Sequence, residues 1–120
     1  MKATVRCPGS CGELVQGTAD GLNFLVTCPV DLYSQVTVEL SPSSRITPPA
    51  GPKTREAVRR TLAYLGGAVA DVAIEVKSEL PAGKGMASSS ADIAAACLAT
   101  ALAAGRLIEP AEICRIALDI

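Results

Sequence analysis

Residues 88–104, SSSADIAAACLATALAA, limit the possible folds more than any other stretch of the chain. From Ile93 onward the segment carries no charge, and it is dominated by alanine and leucine, the strongest helix formers. Wound as a helix over 88–104, it has no polar face to turn toward water. A helix apolar on nearly every side belongs in the middle of a protein, covered by other elements. The covering elements must supply aliphatic side chains, because the chain has two tyrosines, one phenylalanine and no tryptophan. Its 120 residues suffice for one domain with a real core.

The strands that could cover such a helix are visible as alternation. In YSQVTVEL (33–40), Val36, Val38 and Leu40 fall on one face, and Gln35, Thr37 and Glu39 on the other. In DVAIEVKSEL (71–80), Val72, Ile74 and Val76 point inward, and Ala73, Glu75 and Lys77 outward. Upstream, KATVRC (2–7) and GELVQ (12–16) read as two short strands split by a turn at PGSC, and FLVTC (24–28) as another strand. SPSSRITPPAGP (41–52) reads as a surface connection. Lys53–Leu65 has helical periodicity, with Ala57, Val58, Thr61, Leu62 and Leu65 on one face and Gly66-Gly67 as its stop. A last helix starts at Pro110, a favoured first-turn residue. AEICRIALDI shows no glycine or cap, so this helix is expected to be still running at Ile120, with the chain part of something longer. The order β-β-β-β-α-β-α-α predicts an α+β domain, a mostly antiparallel sheet covered by helices.

Charge and cysteine content exclude several functions. A net charge of −1 lacks the basic footprint of a nucleic-acid binder. No apolar run reaches the roughly 18 residues of a membrane span, and MKATVRCPGSC lacks the apolar core of a signal peptide. A cytoplasmic protein with neither nucleic-acid nor membrane partners is expected; oligomeric state has no sequence signal. Cys7, Cys11, Cys28, Cys97 and Cys114 are an odd set without a C-x-x-C pair, and histidine is absent, so a zinc cluster is not expected. The cysteines read as reduced thiols. The absence of histidine also removes every His-based triad.

Ahead of the central helix stands ELPAGKGMASSS (79–90). A helix N-terminus presents unpaired N–H groups and partial positive charge. Glycines permit close backbone approach, and the combination is an anion site suited to phosphate. Lys84 adds charge; serine hydroxyls add donors for phosphate and oxygen ligands for Mg²⁺. A plainer reading is available: Ser89-x-x-Asp92 fits a capping box, which accounts for one serine and for Asp92 without a ligand. A Walker loop does not fit, since Lys84 is followed by Gly85. On residue chemistry, phosphate binding and capping both stay open.

The segment PAGKGMASSSA (81–91) resembles the central motif of the GHMP kinases, P-x-x-x-G-L-G-S-S-A-A. Met86 stands for the leucine, Ala87 for the second glycine and Ser90 for the first trailing alanine. The sequence VRCPGSCGELVQG (5–17) is similar to the N-terminal signature of one branch, the L-threonine kinases of cobalamin synthesis and propanediol utilisation. VDLYSQVTV (30–38) resembles the strand that follows in homoserine kinase-like members. The resemblance covers essentially all of residues 1–120 and implies a GHMP kinase N-terminal domain of the ribosomal-protein-S5 domain 2 type, with a ferredoxin-like second half elsewhere.

By the same resemblance, Pro81, Gly83, Lys84, Gly85, Met86, Ala87, Ser88, Ser89 and Ser90 bind ATP phosphates, and Ser88 and Ser89 reach Mg²⁺. The expected reaction is ATP-dependent phosphorylation of L-threonine to O-phospho-L-threonine. Homoserine or another small alcohol, or a noncatalytic domain of the same fold, are the alternatives. Ser10, Glu13 and Gln16 are the candidate substrate residues, with ordinary turn and strand chemistry as the competing account. Ser10 stands where some members carry lysine or arginine. Asp31 begins a strand and reads as a turn-ending residue, with substrate contact as the lesser alternative. No residue is assigned as a catalytic base, and phosphoryl transfer relies chiefly on positioning and charge neutralisation.

Overall fold

The computed structural model describes residues 2–40, 51–66, 72–80 and 88–120; the side chains of 11–16, 23–27 and 88 lie outside the description. Its elements are β1 (Lys2–Ala19), β2 (Leu22–Leu40), α1 (Pro52–Tyr64), β3 (Val72–Ser78), α2 (Ser88–Ala103) and α3 (Pro110–Leu118). The three strands form one antiparallel sheet in the order β1-β2-β3.

Residues 2–40 form one long hairpin rather than several short strands. Its turn is Asp20-Gly21, with φ of 51° and 79°. Positive φ at both central residues of a two-residue turn is the type I′ geometry, whose twist matches that of the flanking strands. The expected turn at PGSC is not there: β1 runs through it. The pairing register instead shifts between Pro8 and Ser10, Ser10 and Glu13, and Glu13 and Val15. Bulges absorb the surplus residues, and an edge strand tolerates a proline that cannot donate to the ladder. Pro29 is accommodated similarly. It lies opposite Ser10, in the part of β2 beyond Ser34–Leu40, the stretch that pairs with β3. Asp31 is therefore an exposed residue within β2, not the end of a turn.

The alternation read from β2 holds: Val36 and Val38 are fully buried and Leu40 nearly so. Val72, Ile74 and Val76 of β3 pack against the same core while remaining half-buried. Helix α2 lies across β1 and β2, with α1 and α3 against its other sides. Ala95, Ala96, Cys97, Ala99, Thr100 and Ala101 are all 0% exposed, so most of the helix surface is covered; only the stripe of Ala94, Leu98 and Leu102 stays partly open, with Leu102 40% exposed. Small side chains permit this coverage, because they let the sheet and the outer helices approach closely. Ile93, Val58, Leu62, Ile108 and Ile116 fill the wider gaps. The buried hydroxyls of Thr61 and Thr100 donate to the carbonyls of Ala57 and Ala96, at 2.8 and 2.7 Å, so neither is left unpaired.

Helix α1 begins one residue earlier than expected, at Pro52, and buries the predicted face of Ala57, Val58, Thr61 and Leu62. On its outer side Glu56 accepts hydrogen bonds from Arg59 and Arg60, and these hold its carboxyl down to about 2. Arg60 also pairs with Asp119 just past α3. That helix ends at Leu118, with Asp119 at its C-cap, rather than continuing to Ile120.

Gly66 follows α1 with φ 75°, and a Cβ there would meet no heavy atom within 4 Å. Gly66→Ala is therefore expected to cost only the left-handed backbone penalty, roughly 1–2 kcal/mol. A urea-unfolding midpoint measured beside wild type checks it.

Candidate phosphate site at the head of α2

The three serines open the central helix: Ser88 is its first residue, and Ser89 and Ser90 are exposed in its first turn. The backbone N–H groups of this turn lack helical partners. Residues 81–87, including Pro81, Gly83, Lys84, Gly85, Met86 and Ala87, lie outside the described residues.

Beside the serines is a cleft of about 220 Å³ lined by Gly51, Pro52, Lys53 and Thr54 from the start of α1, and by Ser89 and Asp92 from α2. Two helix N-termini thus border one cavity, each contributing partial positive charge. Lys53 adds a full charge at its rim. The lining thus combines a cation and the hydroxyls of Thr54 and Ser89 with one carboxylate, Asp92, which is engaged by Ser34. Lys53 and Thr54 carry no signal of this in the sequence beyond Pro52 as a helix opener, since their place in the cleft comes from α1 and α2 meeting in space.

Asp92 does not complete a capping box with Ser89. The helix starts before Ser89, and the Asp92 carboxylate accepts a hydrogen bond from the hydroxyl of Ser34 on β2. A partner 58 residues away leaves no trace in local spacing. The same carboxylate acts on Cys7, which lies opposite Ser34 in the sheet. Burial first, and the Asp92 charge second, push the Cys7 thiol above its ordinary pKa.

Burial likewise raises the Cys97 thiol, and Cys97 is fully enclosed whereas Cys114 is exposed. Thiolate is the reactive form. Iodoacetamide at pH 8 is therefore expected to modify Cys114 well before Cys7, and Cys97 last. Raising the pH should speed Cys7 labelling, and peptide mass spectrometry reads the order.

The candidate substrate residues sit on the bulged part of β1. Ser10 is half-buried opposite Pro29; Glu13 pairs in register with Thr27 and Gln16 with Leu25. Ser10 does not line the cleft at α2. The side chains of Glu13 and Gln16 lie outside the described residues. Among the described residues no helix is long and apolar enough to cross a membrane.

An α+β layer with a serine-headed central helix over an antiparallel sheet is the arrangement of a known class. Residues 53–120, more than half of the chain, match the model for the N-terminal domain of GHMP kinases. The chain belongs to the GHMP kinase family.

Among curated relatives, the L-threonine kinase of Salmonella typhimurium is 40% identical over 98% of this chain and 39% of its own length. The L-threonine kinase of Citrobacter freundii is 45% identical over 93% of the chain and 40% of its own. The chain thus spans about two-fifths of the length of these relatives. Among solved structures, Methanococcus jannaschii mevalonate kinase superposes with a TM-score of 0.73 at 14% identity, over 97% of this chain and 44% of that one. Streptococcus pneumoniae phosphomevalonate kinase gives 0.72 at 17%, over 98% and 40%. At such identities the structures establish a shared fold.

Proposed function

We propose that the complete protein transfers the γ-phosphoryl group of ATP to the hydroxyl of L-threonine, giving ADP and O-phospho-L-threonine for cobalamin synthesis. The observation that carries this is 40% identity, across 98% of the chain, to a protein named L-threonine kinase. The position of the serines at the head of the buried helix supports a phosphate role for them.

In this reading the loop of Pro81, Gly83, Lys84, Gly85, Met86 and Ala87 surrounds the triphosphate, and Ser88, Ser89 and Ser90 contact it from the helix. Hydroxyl oxygens of Ser88 and Ser89 are hard neutral ligands, which suits Mg²⁺. Magnesium–ATP brings the phosphoryl group and neutralises its charge. The chain's own part is to hold that group still and keep donors aimed at it. Lys53, at the opposite wall of the cleft, adds attraction for the anion. Ser10, Glu13 and Gln16 are the proposed contacts for the amino acid, with the Glu13 carboxylate suited to the ammonium group.

The test is kcat/KM of the complete protein for L-threonine, L-serine and L-homoserine with magnesium–ATP. L-Threonine is expected to lead. A tenfold preference for homoserine, about 1.4 kcal/mol of transition-state discrimination, would reassign the substrate while leaving the kinase. Absence of turnover with all three would overturn both.

A further inference from the structure

Ser34 is a fully buried hydroxyl in the middle of the sheet, with Cys7 opposite it on β1 and Ser78 opposite it on β3. Its hydroxyl donates to the carboxylate of Asp92, the fifth residue of α2. The surroundings of this bond give it significance. Beyond Asp92, α2 meets its neighbours through Ile93, Ala95, Ala96, Ala99 and other small apolar groups. Apolar contact is non-directional, and a smooth alanine surface offers little to resist axial sliding or rotation of the helix by a fraction of a turn. A hydrogen bond to a carboxylate is directional and strong. Breaking it would leave a buried hydroxyl and a part-buried charge unpaired.

We propose that Ser34 and Asp92 are a positioning pair: they fix the register of α2 against β2, and through it the location of Ser88 and Ser89 in the phosphate site. The inference rests on the phosphate role given to those serines. Asp92 acts through the helix it anchors. Its charge-bearing form is not required, because an asparagine carbonyl accepts the same hydrogen bond. That distinguishes positioning from direct contact with cation or substrate, for which the charge is needed.

The experiment uses the complete protein carrying Ser34→Ala, Asp92→Ala, Asp92→Asn and the Ser34→Ala/Asp92→Ala double substitution. The first readout is amide hydrogen exchange without any ligand, at residues 92–94, the first amides of α2 with i→i−4 bonds. Exchange there is expected to accelerate about tenfold in either alanine variant, no further in the double variant, and by less than about threefold in Asp92→Asn. Amides 97–101 in the helix centre should keep wild-type rates. The second readout is kcat at saturating magnesium–ATP and L-threonine, expected to fall at least about tenfold in the alanine variants and to be largely retained in Asp92→Asn.

Asp92→Asn as impaired in kcat as Asp92→Ala, with exchange unchanged, would overturn the proposal in favour of direct contact by the charge. Unchanged exchange in Ser34→Ala would overturn it outright, as would losses in the two alanine variants that multiply in the double. If the wild type shows no threonine-dependent turnover, the functional reading fails. The ligand-free exchange pattern still decides whether the pair sets the helix register.

Discussion

Ser89→Ala in the complete protein is expected to lower kcat/KM for magnesium–ATP by roughly 10²-fold, the scale of losing one donor aimed at developing charge. Its stability should stay within about 0.5 kcal/mol of wild type, as for other exposed positions. Both halves follow from where the residue lies. Ser89 is exposed, lines the cleft shared with Lys53, and sits inside the first turn of α2 rather than at its cap. Steady-state kinetics and a denaturation midpoint on the same preparation test the two halves together. A loss of 0.5–2 kcal/mol with unimpaired kinetics is what removal of a capping residue produces, and it would return the serine to a structural role. Ser88→Ala is expected to behave like Ser89→Ala in kinetics.

Ala96→Leu is expected to destabilise the fold by about 1–3 kcal/mol, the cost of forcing extra methylenes into a filled core. Ala96 is fully buried on a helix packed between the sheet and the helices α1 and α3, away from its partly open Ala94–Leu98–Leu102 stripe, so the added atoms have no direction in which to escape. Ala111→Leu, on the exposed side of α3, makes the same chemical change with no neighbours to displace. Its effect should stay within about 0.5 kcal/mol. Urea titrations of both variants supply the comparison. Equal midpoints would mean that this side of α2 is not enclosed as described above.

The features legible in the sequence were those whose cause is local and periodic. Val36, Val38 and Leu40 alternate because one face of β2 is buried, and the apolar character of α2 reflects burial over most of its surface. Pro110 marked the start of α3 for a reason internal to the first helical turn. What escaped reading depends on partners distant in the chain. Pro8, Gly9 and Pro29 carry breaker chemistry, yet an edge position and bulges let the strands continue through them. The Asp20-Gly21 dipeptide was the available hairpin signal, and it outranks PGSC because it supplies both positive-φ residues. At the site, the serines at the head of α2 were readable from their place before an apolar helix. Lys53, Thr54 and the Ser34–Asp92 hydrogen bond were not, since each arises only when α1 or β2 packs against α2.

The alanine content of α2 also bears on the entropy of the folded state. An alanine has no side-chain rotamers to lose on burial, whereas a leucine or isoleucine gives up about 0.5–1 kcal/mol and a methionine more. The alanines Ala95, Ala96, Ala99, Ala101 and Ala103 of the central helix are therefore ordered at almost no cost beyond their backbone. The helix also has few alternative conformers to visit once formed. Thermal motion reaching Ser88 and Ser89 through this helix is then restricted to rigid-body displacement of the whole element. The proposed phosphate site, where the placement of donors to a fraction of an ångström would set their effect, is thereby mounted on an element with few internal degrees of freedom.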